Sequence, residues 1–474
     1  MKPNIFCLSI DSLRQDKCLG KSKTSVTPNL DKLIQNGTFF NQIVSTAPVS
    51  MPSLSSVFTG LYPFECTTVD DMRGQKGNLF NLNQNLPTFS DDLSTSGYHT
   101  YAIIPEVLRY TNFPKLFANV EFFNSFVTLY DENLGNKILK TLRQDVKSPW
   151  FLFAHIADLH GGYLQIMHEE DYAGINQYDK MLSAIDPWLG KIFQCINLKN
   201  TICVITSDHG SVLSDFTNEM FNFSQKMQAG EFEPGIGFNS AHKIATNFPK
   251  KLTPLRKKMG KIYTKYRNDK IKKKLESNHQ AENLNLSPYQ ERLLKKSHFV
   301  NPSDCFDEGL RSALILLGPN LPSGKIISTQ ISSIDLFPTI LDLIKIPTKV
   351  NHRGKSLVPL FSNTKNDERI VMVDSGSDGS QEQYSNTIGL RTKQYKYFRD
   401  RFSESKNVHL YDLENDPFEL SNISEQNPDI IENLEREFLQ INPTGNFAFK
   451  KTQEFSDEEA EKIEKDLKKL GYIN

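Results

Sequence analysis

Three separated segments carry residues whose types could act together in polar chemistry. Ser50 opens the run Ser50-Met51-Pro52-Ser53, which continues through Leu54 to Thr59-Gly60. Pro52 has a backbone angle suited to a first helical turn, and Gly60 suits the position just past a helix end, so Ser50 falls at a helix N-terminus. Free N–H groups and the helix dipole there favour an anionic oxygen and a tetrahedral oxyanion. A hydroxyl attacking sulfur or phosphorus needs both. The same residues also fit a plain N-cap. Asp11 closes an apolar run, and Asp208-His209-Gly210 follows another. Carboxylates with an imidazole suit Ca²⁺, Mg²⁺ or Mn²⁺. Such an ion would acidify a nucleophilic hydroxyl and neutralise charge on an ester. Each Asp taken alone is equally a turn or helix cap. His155, Asp158 and His160, followed by Gly161-Gly162-Tyr163, close a third run. His160 is placed to donate to a leaving group or a non-bridging oxygen. His155, nearer the strand, reads first as a packed structural histidine.

The elements that must position these groups follow from the apolar pattern. Asn4–Ile10, Tyr101–Ile104, Trp150–Ala154, Ile202–Thr206 and Ala313–Leu317 have the length and content of strands buried on both faces. Thr27-Pro28 with Leu30, Leu33, Ile34 and a final Gly37 carries helix start and stop signals in the right order, and Leu86–Gly97 and Ile334–Ile344 read similarly. Strands alternating with helices imply an α/β sandwich with a largely parallel sheet. Ligands in such sheets bind beyond the carboxyl ends of the strands, which is where Asp11, His155 and Asp208 are expected. After about Pro347 the pattern changes. Ile370–Val373, Thr387–Arg391 and Tyr395–Arg399 read as a small antiparallel sheet, and Asp457–Leu470 as a terminal helix stopped by Gly471.

The 474 residues are enough for one large domain or two to three smaller ones, and 38% apolar with 23% charged residues is ordinary for a globular chain. A formal net charge of −1 gives the whole molecule no attraction for a polyanion, so no nucleic-acid partner is expected. The charge is unevenly spread: residues 241–300 hold sixteen Lys or Arg against four Asp or Glu. The insertion at about 211–297, which holds most of this segment, reads as a solvated helical insertion or as an arm that attracts an anionic substrate. No run approaches the roughly 20 apolar residues that span a bilayer, and the N-terminal run is too short for a secretory signal. Six sparse cysteines without paired spacing, two of them (Cys7 and Cys203) inside expected buried strands, point to a reducing, cytoplasmic setting. No feature specifies an oligomeric state.

The order of these motifs resembles the sulfatase family of the alkaline phosphatase superfamily. Asp11-Ser12-Leu13-Arg14, Thr27-Pro28-Asn29-Leu30-Asp31, Ser50-x-Pro52-Ser53…Thr59-Gly60-Leu61-Tyr62-Pro63 and Thr206-Ser207-Asp208-His209-Gly210 carry the first part. Asp307-Glu308-Gly309-Leu310-Arg311, Ile334-Asp335-x-x-Pro338-Thr339, Gly354-Lys355-Ser356-Leu357 and Leu410-Tyr411-Asp412-Leu413-Glu414-Asn415-Asp416-Pro417 carry the rest. The resemblance implies an alkaline phosphatase-like sandwich at 1–346 and a smaller C-terminal antiparallel subdomain with the terminal helix at 347–474. It further implies a divalent metal held by Asp11, Asp208, His209 and Ser50, with calcium the first choice and manganese or magnesium the alternatives. Residue 50 would be the nucleophile, as serine or after oxidation to formylglycine. His160, Lys296 and His298 would serve catalysis, and Arg14, His155 and His242 would contact an anionic small-molecule or carbohydrate ester.

Three positions depart from the family pattern. Leu54 stands where sulfatases carry an Arg, Ser12 where they carry a second Asp, and Ile104-Pro105-Glu106-Val107 where a Gly-Lys-x-His motif is expected. The expected activity is metal-dependent hydrolysis of sulfuric esters. The alternatives are a phosphodiesterase, phosphonate monoester hydrolase or phospho-group transferase of the same superfamily, and a member that has lost turnover and serves as a binding module.

Overall fold

In chain order the strands are β1 (Asn4–Ile10), β2 (Thr38–Val44), β3 (Thr67–Asp71), β4 (Leu79–Leu82), β5 (His99–Pro105), β6 (Asn119–Phe123), β7 (Trp150–Ile156) and β8 (Thr201–Thr206). They are followed by β9 (Arg311–Leu317), β10 (Lys325–Ile327), β11 (Ile331–Ser332), β12 (Val371–Asp374), β13 (Thr387–Arg391), β14 (Tyr395–Asp400), β15 (His409–Asp412) and β16 (Lys450–Glu454). This computed structural model describes residues 2–71, 79–124, 129, 133–160, 172–211, 305–348, 350–362, 369–376, 386–454 and 456–469. They belong to one unit assembled from Met1–Val212 and Pro302–Asn474. His242, Lys296, His298 and all but the first residue of the basic insertion lie outside the described residues, as do Gly161-Gly162-Tyr163 and Gly471.

The main sheet has the order β10-β2-β9-β8-β1-β7-β5-β6, with β11 added to β2. All pairs are parallel except those that β9 makes with β2 and β8. Alternate side chains explain the unbroken apolar runs. Phe6, Leu8 and Ile10 of β1 join Leu152, Ala154, Cys203 and Ile205 in one core cluster. Ile5 and Cys7 join Phe151, Phe153, Ile202 and Val204 in another. Period-two alternation therefore sends the apolar residues of these strands into one core or the other. The helices Pro28–Asn36 and Gln177–Gln194 bury Leu30, Leu33, Ile34, Met181, Leu182 and Ile185 in the first core. The helices Ser50–Thr59 and Leu336–Leu343 bury Leu54, Phe58, Phe337 and Ile340 in the second. The result is a sheet sandwiched between helical layers. β12-β13-β14-β15 form a separate antiparallel sheet, and β16-β3-β4 a small three-stranded one.

Two local expectations change in detail. Trp150–Ile156 runs past Ala154, so His155 lies inside its strand, opposite Ser9. Gly37 follows the helix with an extended backbone, φ −114°. A Cβ there would fall 2.8 Å from the Leu316 carbonyl oxygen, so its smallness serves close approach to β9. That helix takes its N-terminal cap from far along the chain: the Asp186 carboxylate accepts from the amides of Asn29 (3.0 Å) and Leu30 (2.8 Å).

The antiparallel sheet is tied to the main one by buried charge. Asp307 accepts from Arg391 at 2.9 and 2.8 Å and from Lys396 at 2.8 Å, and all three are buried. Burial alone would raise the Asp307 carboxyl, but the guanidinium and ammonium hold it well below the ordinary range. Its contribution to stability is therefore complete above the unfolded carboxylate value near pH ~3.9 and is lost as pH falls through the lower folded value. Asp307→Asn removes the carboxylate that Arg391 and Lys396 share, leaving Lys396 paired with Glu419 at 3.1 Å, and should destabilise the fold by about 3–5 kcal/mol at neutral pH. It should also remove part of the acid-induced loss of stability. Urea unfolding from pH 7 down to pH 3 checks both.

Candidate metal and nucleophile site

The register of the three central strands builds the site. Ser9 pairs with His155 on one side and Thr206 on the other, so β1, β7 and β8 end side by side. The Asp11 amide donates to the Ile156 carbonyl oxygen at 2.8 Å, carrying the alignment one step past the strands. Asp11 and Asp208 consequently emerge at the same sheet edge, both buried, with His209 beside them. One ligand atom from each of Asp11, Asp208 and His209 lies within 4.8 Å of the other two.

The turn after β1 is shaped for this contact. Ser12 sits in the left-handed region at φ +63°. Its amide donates to Asp208 Oδ1 at 3.2 Å, and its hydroxyl donates to Asp11 Oδ1 at 2.8 Å. At a position where the family pattern has an acid, Ser12 thus supplies a neutral donor to the acid beside it. His209 is oriented from behind: its Nδ1 lies 2.7 Å from the Gly210 carbonyl oxygen, which can only accept, so Nδ1 carries a proton. Nε2 then faces Asp208 Oδ2 at 3.4 Å, Asp11 Oδ1 at 3.7 Å and Ser50 Oγ at 3.4 Å. Gly210 permits this fit, because a Cβ there would stand 2.2 Å from the Glu308 carbonyl oxygen.

Ser50 is the first residue of its helix, with Val49 as the cap. Ser53, one turn inside and fully buried, donates to the Asp208 carbonyl oxygen at 2.6 Å and fixes the helix start against the metal-side loop. The approach to Ser50 is braced from the other side: Thr46 accepts from the Asp374 amide at 2.8 Å, and Asp374 itself is clamped by Arg401 at 2.6 and 2.8 Å. Gly60 ends the helix in the left-handed conformation expected of it, φ +69°. Leu54 is 2% exposed and packed in the second core, a wholly apolar setting for the position where the family pattern has Arg.

The donor set fits a divalent cation. Asp208 Oδ2 is buried and accepts no hydrogen bond of normal geometry, and the imidazole nitrogen facing it is left for a proton or a metal. Burial alone would raise the Asp208 carboxyl, but His209 and His155 with hydrogen bonds from Ser50 and the Ser12 amide hold it down. Burial would lower His209, and the two carboxylates more than reverse that. Both shifts record one fact: the pocket favours a positive charge between Asp11, Asp208 and His209. His155, 3% exposed, has Nδ1 3.0 Å from Ser9 Oγ and Nε2 3.9 Å from Asp11 Oδ2, behind the carboxylate. His160 approaches the same oxygen to 3.7 Å from the open side, with its side chain 38% exposed.

Arg14, expected to contact substrate, is buried. Its guanidinium forms paired bonds with Asp16 at 2.8 and 2.7 Å and donates to the Ser211 carbonyl oxygen at 3.0 Å. The sequence carried that signal in the short Arg14-x-Asp16 spacing. Sequence reasoning missed Ser9, Ser53 and Tyr178, whose hydroxyls hold the site segments; each reads simply as part of a strand or an amphipathic helix.

The chain is similar to proteins of known family. A family model described as Sulfatase matches residues 3–346, and one described as N-sulphoglucosamine sulphohydrolase, C-terminal, matches residues 302–443. The chain is 21% identical over 465 residues to arylsulfatase K of Gallus gallus, covering 92% of this chain and 81% of that protein. Among solved structures, BT4656 in complex with its substrate D-glucosamine-2-N,6-O-disulfate superposes with a TM-score of 0.60 at 15% identity, over 94% of this chain and 99% of the other. The phosphonate monoester hydrolase of Agrobacterium radiobacter superposes with a TM-score of 0.60 at 15% identity, over 94% and 96%.

Gly210→Ala should test the fit of the His209 loop. The added methyl must push the loop off the Glu308 carbonyl, so divalent-metal affinity by calorimetry should fall at least about tenfold, with a lower melting temperature.

Proposed function

The chain belongs to the sulfatase family and is a hydrolase of sulfuric esters; from that premise we propose that it cleaves a sulfated carbohydrate with residue 50 as nucleophile. The observation that carries the reading is the position of Ser50 Oγ, 3.4 Å from His209 Nε2 at the start of a helix that abuts the Asp11–Asp208–His209 cluster. The phosphodiester and binding-module alternatives find less support, because the matching family models and relatives are sulfatases.

Asp11, Asp208 and His209 would hold a divalent cation, with calcium favoured by two hard carboxylates and manganese or magnesium as alternatives. When bound, that ion supplies positive charge that acidifies the nucleophilic hydroxyl and neutralises the sulfate oxygens. Ser50, or the hydrate of a formylglycine made from it, gives up its hydroxyl proton to solvent and attacks sulfur: the new O–S bond forms as the ester S–O bond breaks. His160, at the open rim, donates the proton that the departing alkoxide needs. From serine, water must then displace the sulfuryl group. From the aldehyde hydrate, reformation of the carbonyl expels sulfate with loss of a proton. The positive end of the helix dipole at residue 50 favours the oxyanion in either case. Lys296, His298 and His242 are assigned to leaving-group and substrate contacts, and Arg14 and His155 to the sulfate side, from the sequence resemblance.

A carbohydrate substrate draws its support from the glucosamine disulfate bound by one structural relative. The cytoplasm is proposed on the buried thiols Cys7, Cys18, Cys66 and Cys203. Among the described residues no helix is long and apolar enough to cross a membrane.

Ser50→Ala should lower kcat/KM on an aryl or sugar sulfate by at least about a thousandfold. Full activity in that variant would remove Ser50 from the chemistry. Mass spectrometry of the residue-50 peptide from the native host should show loss of two hydrogens if formylglycine is formed, and an unchanged mass if serine acts directly.

A further inference from the structure

Tyr178 lies in the first turn of the helix Gln177–Gln194, fully buried in the core beneath the turn that carries Asp11. Its hydroxyl donates to the Ser12 carbonyl oxygen at 2.8 Å and accepts from the Arg14 amide at 2.9 Å. These two backbone groups flank Leu13, the residue that follows the left-handed Ser12. Leu13 itself is pinned on the opposite side, where its amide donates to Ser207 Oγ at 2.8 Å. A residue other than glycine at positive φ is held there only when its surroundings over-determine it. Here one phenol holds the carbonyl that leaves Ser12 and the amide that enters Arg14, fixing the C-terminal side of the left-handed residue. On its other side the Ser12 N–H meets Asp208 and its side chain meets Asp11.

We propose that Tyr178 is a positioning residue whose hydroxyl locks the Ser12 turn and so sets the spacing between Asp11 and Asp208. The proposal rests on these two acids and His209 being the metal-binding set. Tyr178 touches neither cation nor substrate and acts only through Ser12. Phenylalanine at 178 keeps the ring in the core and deletes only the hydroxyl. It leaves the Ser12 carbonyl and the Arg14 amide buried without that partner, and the left-handed residue loses its brace. Tyr98 offers a matched control: also buried, it donates to the Pro3 carbonyl oxygen at 2.8 Å, just ahead of β1, at the end of the sheet away from the site.

Full-length wild type, Tyr178→Phe and Tyr98→Phe are compared by two readouts. The first is hydrogen–deuterium exchange of the peptide spanning Ser9–Arg14 in metal-free protein. The second is calcium and manganese affinity by calorimetry. Faster exchange in that peptide and roughly tenfold weaker metal binding in Tyr178→Phe alone are expected, the size seen when a group supporting a metal ligand is removed. Tyr98→Phe should show wild-type metal affinity even where its melting temperature falls as far. Unchanged exchange and unchanged affinity in Tyr178→Phe, or equal losses in both variants, would overturn the proposal. A wild type that binds neither ion would instead defeat the metal reading, while the exchange comparison still decides whether Tyr178 holds the turn.

Discussion

The structure turns on an electrostatic conflict at one edge of the sheet. Asp11 and Asp208 are both buried and present ligand oxygens no more than 4.8 Å apart. At an effective dielectric constant near 20, two such charges repel by about 3 kcal/mol or more. His209 turns its second ring nitrogen toward them, having committed the first to the Gly210 carbonyl. A positive charge would resolve the conflict, and a divalent ion held there would also acidify the hydroxyl of residue 50. The parallel register of β1, β7 and β8, the left-handed Ser12 turn and the small Gly210 all serve to hold these groups close.

The departures at Ser12 and Leu54 acquire physical meaning in this setting. Ser12 contributes no charge, and its hydroxyl and amide instead orient the two acids. The site therefore concentrates two carboxylates and one imidazole where the family pattern would supply a further acid. Leu54 is sealed in an apolar cluster with Phe58 and Phe337. The helix that begins at Ser50 is thus anchored by burial, and Ser53 makes its polar link to the Asp208 loop.

Much of the fold was legible because burial on both faces leaves a plain mark. The runs at Asn4–Ile10 and Ile202–Thr206 are strands within a residue of their sequence bounds, since all their residues are buried and their apolar side chains enter one core or the other. Asp11, Asp208 and His209 could be read together because strand ends in a parallel sheet share an edge. Less legible were features made by partners distant in sequence. Asp186 caps a helix more than 150 residues away, and Tyr178 reaches back to Ser12 over a similar span. A tyrosine on an amphipathic helix looks like any other core residue until its hydroxyl is located. Gly37 misled in a different way, since a glycine after a helix signals a left-handed cap and here answers to the backbone of β9.

The central claim is that Asp11, Asp208 and His209 hold one divalent ion beside residue 50. Crystals grown with manganese, with diffraction recorded at an energy where the ion scatters anomalously, test it most directly. The account predicts a single strong anomalous peak within coordination distance of an oxygen of each acid and of His209 Nε2, on the side facing residue 50. Fully formed density for these side chains with no peak among them, or a peak bound elsewhere, would contradict it.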